Sequence, residues 1–128
     1  MPELKNTFPK AEHLCGKTAI DKLYAEGKAF LSYPVRIVFR AAQKEEVPAR
    51  CLVNAPKKKF KHATDRNRIK RQIREAYRKN KHELYQLLEE KDYQLHLAIT
   101  YIGDKIEPSA FIEKKIKVAL ARLIEQLP

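Results

Sequence analysis

Cysteine is scarce in this chain: Cys15 and Cys51 are the only two among 128 residues. No Cys-x-x-Cys pair and no histidine at ligand spacing accompanies them. That speaks against a disulfide framework or a metal site and leaves reduced, buried thiols as the expectation. Long apolar runs are absent as well. None approaches the ~20 residues a spanning helix needs, and the opening MPELKNTFPKAEHL has no apolar signal-peptide core. A cytoplasmic chain with no membrane partner is expected. Internal repeats and low-complexity linkers are missing, so residues 1–128 read as a single domain, long enough to bury a core. Pro2 and Pro9 mark residues 1–10 as irregular. Paired acid and base groups are also lacking. His13, His62, His82 and His96 show no partnering at helical or strand spacing, with His96 read as a satisfied surface histidine. Glu45, Glu46, Glu89 and Glu90 sit in loops or at helix ends, where they serve solubility. No catalytic residue and no metal ligand is assigned.

Acidic residues are sparse in one segment only. Twelve of the 27 Lys and Arg residues fall between Lys57 and Lys81, opposed there by Asp65 and Glu75 alone. This stretch, KKKFKHATDRNRIKRQIREAYRKNK, carries +10 of the net +11. So local a charge points to a polyanion. Nucleic acid is the first candidate; a ribosome surface and acidic lipid are the others.

The surrounding pattern is that of an α/β sandwich, one small, mostly antiparallel sheet with helices packed on it, in the order α-β-β-(β)-α-β-α. Lys17 to Glu26 reads as a short helix stopped by Gly27. Val35 to Ala42 alternates as a half-buried strand, and Arg50 to Asn54 is a second one, expected to form a hairpin with the first. Pro56 ends it, and Lys57 to Lys61 make a basic loop. A helix then starts near Thr64 or Asp65, both good N-caps, and runs into the eighties. Tyr93 to Tyr101 is the cleanest strand. Pro108 suits the first position of a last helix whose apolar residues run from Ile112 to Leu127.

At about 100° per residue, Ile69, Ile73, Ala76 and Tyr77 form one buried stripe of the basic helix. Asn67, Arg71, Arg74 and Arg78 fall on the opposite face, flanked by Arg68 and Lys70. Arginine suits polyphosphate because its planar fork holds two oxygens. Asn67 adds a donor and an acceptor. Arg66 turns toward the buried side, where it can serve a carboxylate or strand-end carbonyls. A helix emerging from a strand through a basic loop suits backbone and shape recognition of structured RNA better than a DNA major groove.

The string RNRIKRQIREAYR, preceded by PKKKFKHAT, resembles the signature of the bacterial ribonuclease P protein family. HLCGKTAIDKLYAEGKAF is similar to that family's N-terminal helix, and the likeness extends over residues 8 to 126. The resemblance implies a protein subunit that binds the catalytic RNA and the 5′ leader of precursor tRNA, assisting removal of the leader by hydrolysis of one phosphodiester. Catalysis would belong to the RNA and its Mg²⁺, the protein alone being inactive, and no obligate protein partner is implied. Arg66, Asn67, Arg68, Lys70, Arg71, Arg74 and Arg78 would face RNA, with Lys57, Lys58, Lys59 and Lys61 in the adjoining loop. A leader cleft would be lined by Ile20, Tyr24, Arg36 and Val38, and Ile20 and Val38 replace residues that are often aromatic in the family. The crossover of strand, basic helix and strand would be left-handed, against the right-handed form seen in about 98% of such units. A ribosomal or assembly protein and a DNA-binding regulator share the basic helix. They are told apart by co-sedimentation with ribosomal particles and by preference for duplex DNA.

Overall fold

A computed structural model describes residues 8–128. The expected irregular start thus lies largely outside the described residues, and Lys10–Glu12 form a 3₁₀ turn after Pro9. Helix α1 spans Lys17–Glu26 and is closed by the Gly27 amide donating to the Leu23 carbonyl at 2.8 Å. Two strands follow, β1 (Lys28–Ser32) and β2 (Val35–Gln43), joined at Tyr33 and Pro34. Next come β3 (Ala49–Asn54), α2 (Ala63–Asn80), α3 (His82–Glu89), β4 (Tyr93–Tyr101) and α4 (Ser109–Gln126).

The sheet order is β1-β2-β4-β3. The two pairings within β1-β2-β4 are antiparallel, and β3 pairs with β4 in parallel. The hairpin is therefore β1–β2, and the expected pairing of β2 with β3 does not form. Burial explains the difference. Leu95, Leu97, Ala98 and Ile99 are fully buried, so β4 is covered on both faces and takes the central place, separating β2 from β3. The loop before β3 is tied to β4 by the Leu95 amide to the Pro48 carbonyl and by Gln94 Nε2 to the Val47 carbonyl.

Alternation along the strands gives each sheet face its own partners. Val35, Ile37 and Phe39, with Cys51, Val53, Leu95, Leu97, Ile99 and Tyr101, meet α2, α3 and α4 in the main core. The opposite face carries α1. There Leu14, Leu23, Val38 and Ala98 form a smaller core, with Ala19, Ile20 and Leu52 against it.

Three expected boundaries move. Helix α2 starts at Ala63 with His62 at the N-cap, and neither Thr64 nor Asp65 caps it. The basic helix stops at the edge of the eighties, at Asn80, and a separate helix α3 begins after Lys81. Lys81 is drawn inward, its Nζ bonded to Glu12 Oε1 at 2.5 Å, which gives the break a physical cause. Pro108 stands just before α4 as its N-cap, accepting the Ile112 amide at 3.1 Å. The thiols differ too. Cys51 is buried and its thiol is pushed up by burial, but Cys15 is exposed.

Candidate nucleic-acid interface

Helix α2 is placed by its apolar stripe. Ile69, Ile73, Ala76 and Tyr77 are buried in the main core, which turns Asn67, Arg68, Arg71 and Arg74 outward into solvent. Lys70 and Arg78 are half-buried. The loop before the helix is anchored from inside. Phe60 is buried against Tyr101, with ring centroids 5.9 Å apart, and its amide and that of Lys59 close on the Pro56 carbonyl. One apolar residue within KKKFK thus forces its lysines to the outside. Lys57, Lys58, Lys59 and Lys61 are all exposed.

The basic residues are not equivalent. Arg66 Nη1 donates to the Phe60 and Lys61 carbonyls at 2.8 and 2.9 Å, so Arg66 holds the loop in shape. Lys59 Nζ reaches the Ile102 carbonyl at 2.7 Å and Asp104 at 2.9 Å. Arg78 grips Glu75 with two nitrogens, at 3.0 and 2.6 Å, and that bond holds the Glu75 carboxyl below its ordinary value. Lys79 lies 4.0 Å from Glu113 on α4. Arg71 lines a groove between α2 and α4 with Gln72, Glu75, Ser109 and Glu113. The α4-facing flank of α2 is therefore charge-compensated. Among the described residues, no ion pair engages Lys57, Lys58, Lys61, Arg68, Lys70, Arg71 or Arg74.

On the α1 face, strand register builds cross-strand rows. Val38, Ala98 and Leu52 make the central row, beneath α1. Leu31, Arg36, Thr100 and Asn54 make the row on one side of it, and Arg40, His96 and Arg50 the row on the other. Of the cleft residues, Arg36 is exposed, Tyr24 is 43% exposed, and Ile20 packs at the margin of the small core. Val38 is 3% exposed and serves as floor under α1. The second row is more constrained than a surface histidine implies. His96 is half-buried, Nε2 meets Gln94 at 2.8 Å, and Nδ1 is buried with no partner. Burial, with Arg40 and Arg50 alongside, lowers its pKa.

A family model for ribonuclease P matches residues 8–122. The chain belongs to the ribonuclease P protein family. The ribonuclease P protein component of Porphyromonas gingivalis strain W83 is 36% identical over 120 residues, covering 93% of this chain and 88% of the relative. That of Chlorobaculum tepidum is 35% identical over 104 residues, 75% of this chain and 68% of the relative. Among solved structures, the Staphylococcus aureus RNase P protein superposes with a TM-score of 0.67 at 18% identity, over 89% of this chain and 96% of that one. The Thermotoga maritima protein gives 0.65 at 19%, over 91% and 98%. At such identities the structural likeness speaks for the fold.

In this ribonuclease P protein, no three His, Cys, Asp or Glu side chains among the described residues come together in a way that could hold a metal ion. No helix among them is long and apolar enough to cross a membrane.

Sequence reasoning missed three features. Glu12 accepts from both Lys81 Nζ and Tyr85 Oη, and Tyr85 in turn meets Tyr77 at 3.2 Å. This buried cluster fastens the N-terminal segment to the α2–α3 junction, and nothing in the spacing of residues 12, 81 and 85 announces it. The Arg78–Glu75 pair was readable as an i,i+3 spacing. The anchoring of Lys59 by the β4–α4 loop was not.

Proposed function

We propose that this chain is the RNA-binding subunit of ribonuclease P. It docks on the catalytic RNA through α2 and the Lys57–Lys61 loop and holds the 5′ leader of precursor tRNA against the α1 face of the sheet. The observation that carries this reading is the concentration of unpaired Lys and Arg on α2 and its loop, in a chain of this family. Exposed, uncompensated cations gain most from releasing the counterions around a nucleic acid. Arg68, Arg71 and Arg74 contact phosphates, Asn67 a ribose hydroxyl or base edge, and Arg66 keeps the loop shaped for its lysines. Tyr24, Ile20 and Arg36 contact the leader. The RNA and substrate hold the Mg²⁺ ions and carry out the hydrolysis, in the cytoplasm, while the protein supplies affinity for precursor over product.

The test is reconstitution. The purified protein alone is expected to leave precursor tRNA intact and, when added to its cognate RNA subunit at low Mg²⁺, to stimulate leader removal. Absence of stimulation by well-folded protein overturns the proposal.

A further inference from the structure

Four large apolar side chains stand exposed among the described residues, and two of them, Leu31 and Tyr33, sit together at the β1–β2 tip, each 61% exposed. Neither belongs to either apolar core. Phe30, their neighbour, already meets the core side, with its ring 6.1 Å from Phe39 and Arg122 above it at 5.2 Å. Alternation therefore sends Leu31 to the α1 face, where register puts it in one row with Arg36, Thr100 and Asn54. At ~4.8 Å per strand spacing, that row runs ~14 Å across the sheet.

The same end of the sheet carries the basic loop. Ile102 joins the two: its amide donates to the Pro34 carbonyl at 2.8 Å, and its carbonyl accepts from Lys59 at 2.7 Å. The hairpin tip and Lys57–Lys61 are thus held in fixed relation through one residue. An exposed aromatic ring, an exposed Arg36 and a lysine-rich loop along one edge are the ingredients of a single-strand site. The cations track phosphates, and the ring takes a base face without sequence preference.

We propose that Tyr33, with Leu31 beside it, stacks an unpaired base of the precursor-tRNA leader, extending the leader surface beyond α1 to the hairpin tip. This rests on the proposed function. The leader, not the catalytic RNA, is the occupant because the Leu31 row lies on the α1 face, opposite the face on which α2 packs. The tip also supplies an exposed aromatic where Val38, buried under α1, offers none.

The experiment uses the reconstituted holoenzyme and measures Kd for precursor tRNAs with a long leader, a one-nucleotide leader, and a long leader of abasic nucleotides. Tyr33→Ala is expected to weaken long-leader binding about 5-fold, the low end of what one stacked base contributes. It should leave the one-nucleotide precursor unchanged, and Tyr33→Phe should bind like the parent. Removing the bases should weaken the parent more than Tyr33→Ala does, since Tyr24 loses its bases too, and should weaken the Tyr33→Ala variant by a factor about 5-fold smaller than it weakens the parent. A long-leader Kd unchanged by Tyr33→Ala overturns the inference while the proposed function stands. So does weakened binding of the RNA subunit without substrate, since the ring would then contact the catalytic RNA. If the parent does not distinguish long from short leaders, the leader role under the proposed function falls, and this inference with it.

Discussion

Single side chains divide here by whether they face solvent or floor, and two contrasts expose the division. Tyr24 and Val38 both belong to the region assigned to the leader, but Tyr24 projects from α1 while Val38 lies beneath it. Val38→Ala removes buried hydrocarbon and is expected to cost about 2 kcal/mol of stability, measured by denaturant unfolding, with little effect on leader discrimination. Tyr24→Ala should leave stability nearly unchanged and lower the precursor-to-product affinity ratio. His96 provides the second contrast. Burial, Arg40 and Arg50 lower its folded pKa, while Glu45 acts weakly the other way. In the unfolded chain the imidazole titrates near its usual ~6.5. Between those two values the unfolded state binds the proton and the folded state does not, so stability rises with pH there. Acidifying below about 6.5 should therefore cost stability through His96. His96→Gln should flatten that part of the pH–stability profile, and an unchanged profile would count against the assignment.

At the scale of elements, the clasp at the α2–α3 junction determines where the basic helix stops. Glu12 and Lys81 are nearly enclosed and joined by a short hydrogen bond, with Tyr85 donating to the same oxygen. Removing one partner leaves a buried charge uncompensated, a loss of about 3–5 kcal/mol. Lys81→Met should therefore destabilise strongly in chemical unfolding. Lys81→Met combined with Glu12→Gln should recover part of the loss, since the lone carboxylate is gone; additive losses would show that the two groups do not act as a pair. This clasp also marks the limit of what the sequence discloses. Helix α1 over Lys17–Glu26, β4 over Tyr93–Tyr101 and the Ile69/Ile73/Ala76/Tyr77 stripe were legible because burial leaves a period in the chain. The β2–β3 hairpin was misread because neighbouring strands usually pair. Only the two-sided burial of β4 shows that it must lie between them. In the candidate site, the outward cluster of Asn67, Arg68, Arg71 and Arg74 was legible from the helical period. The inward duties of Arg66, Lys59 and Arg78 depend on carbonyls and carboxylates brought near by tertiary structure, which no spacing rule reports, apart from the Glu75–Arg78 interval.

For the whole molecule, the net charge of +11 overstates what is available to an RNA partner. Lys59, Arg78, Lys79 and Lys81 are already engaged with carboxylates, whereas Arg74 and its neighbours toward the helix start are not. Each cation that truly neutralises a phosphate adds close to one unit to the slope of log K against log salt. Arg74→Ala should therefore weaken binding to the RNA subunit and make that slope shallower by about one, with the fold intact because Arg74 lies opposite the buried stripe. Glu75→Gln should act in the other direction. It removes a carboxylate from the flank of the ridge at little cost, since Glu75 is exposed and a surface pair contributes about 0–1 kcal/mol to stability. Binding should tighten, because one repelling charge is gone. Filter-binding titrations between about 50 and 200 mM salt, the range over which such contacts are most sensitive, measure both changes. An Arg74→Ala slope equal to the parent's would mean that this flank of α2 does not meet phosphate. A Glu75→Gln affinity equal to the parent's would mean that the Glu75 flank lies outside the contact, and the interface would then be confined to Arg68, Lys70, Arg71, Arg74 and the loop lysines.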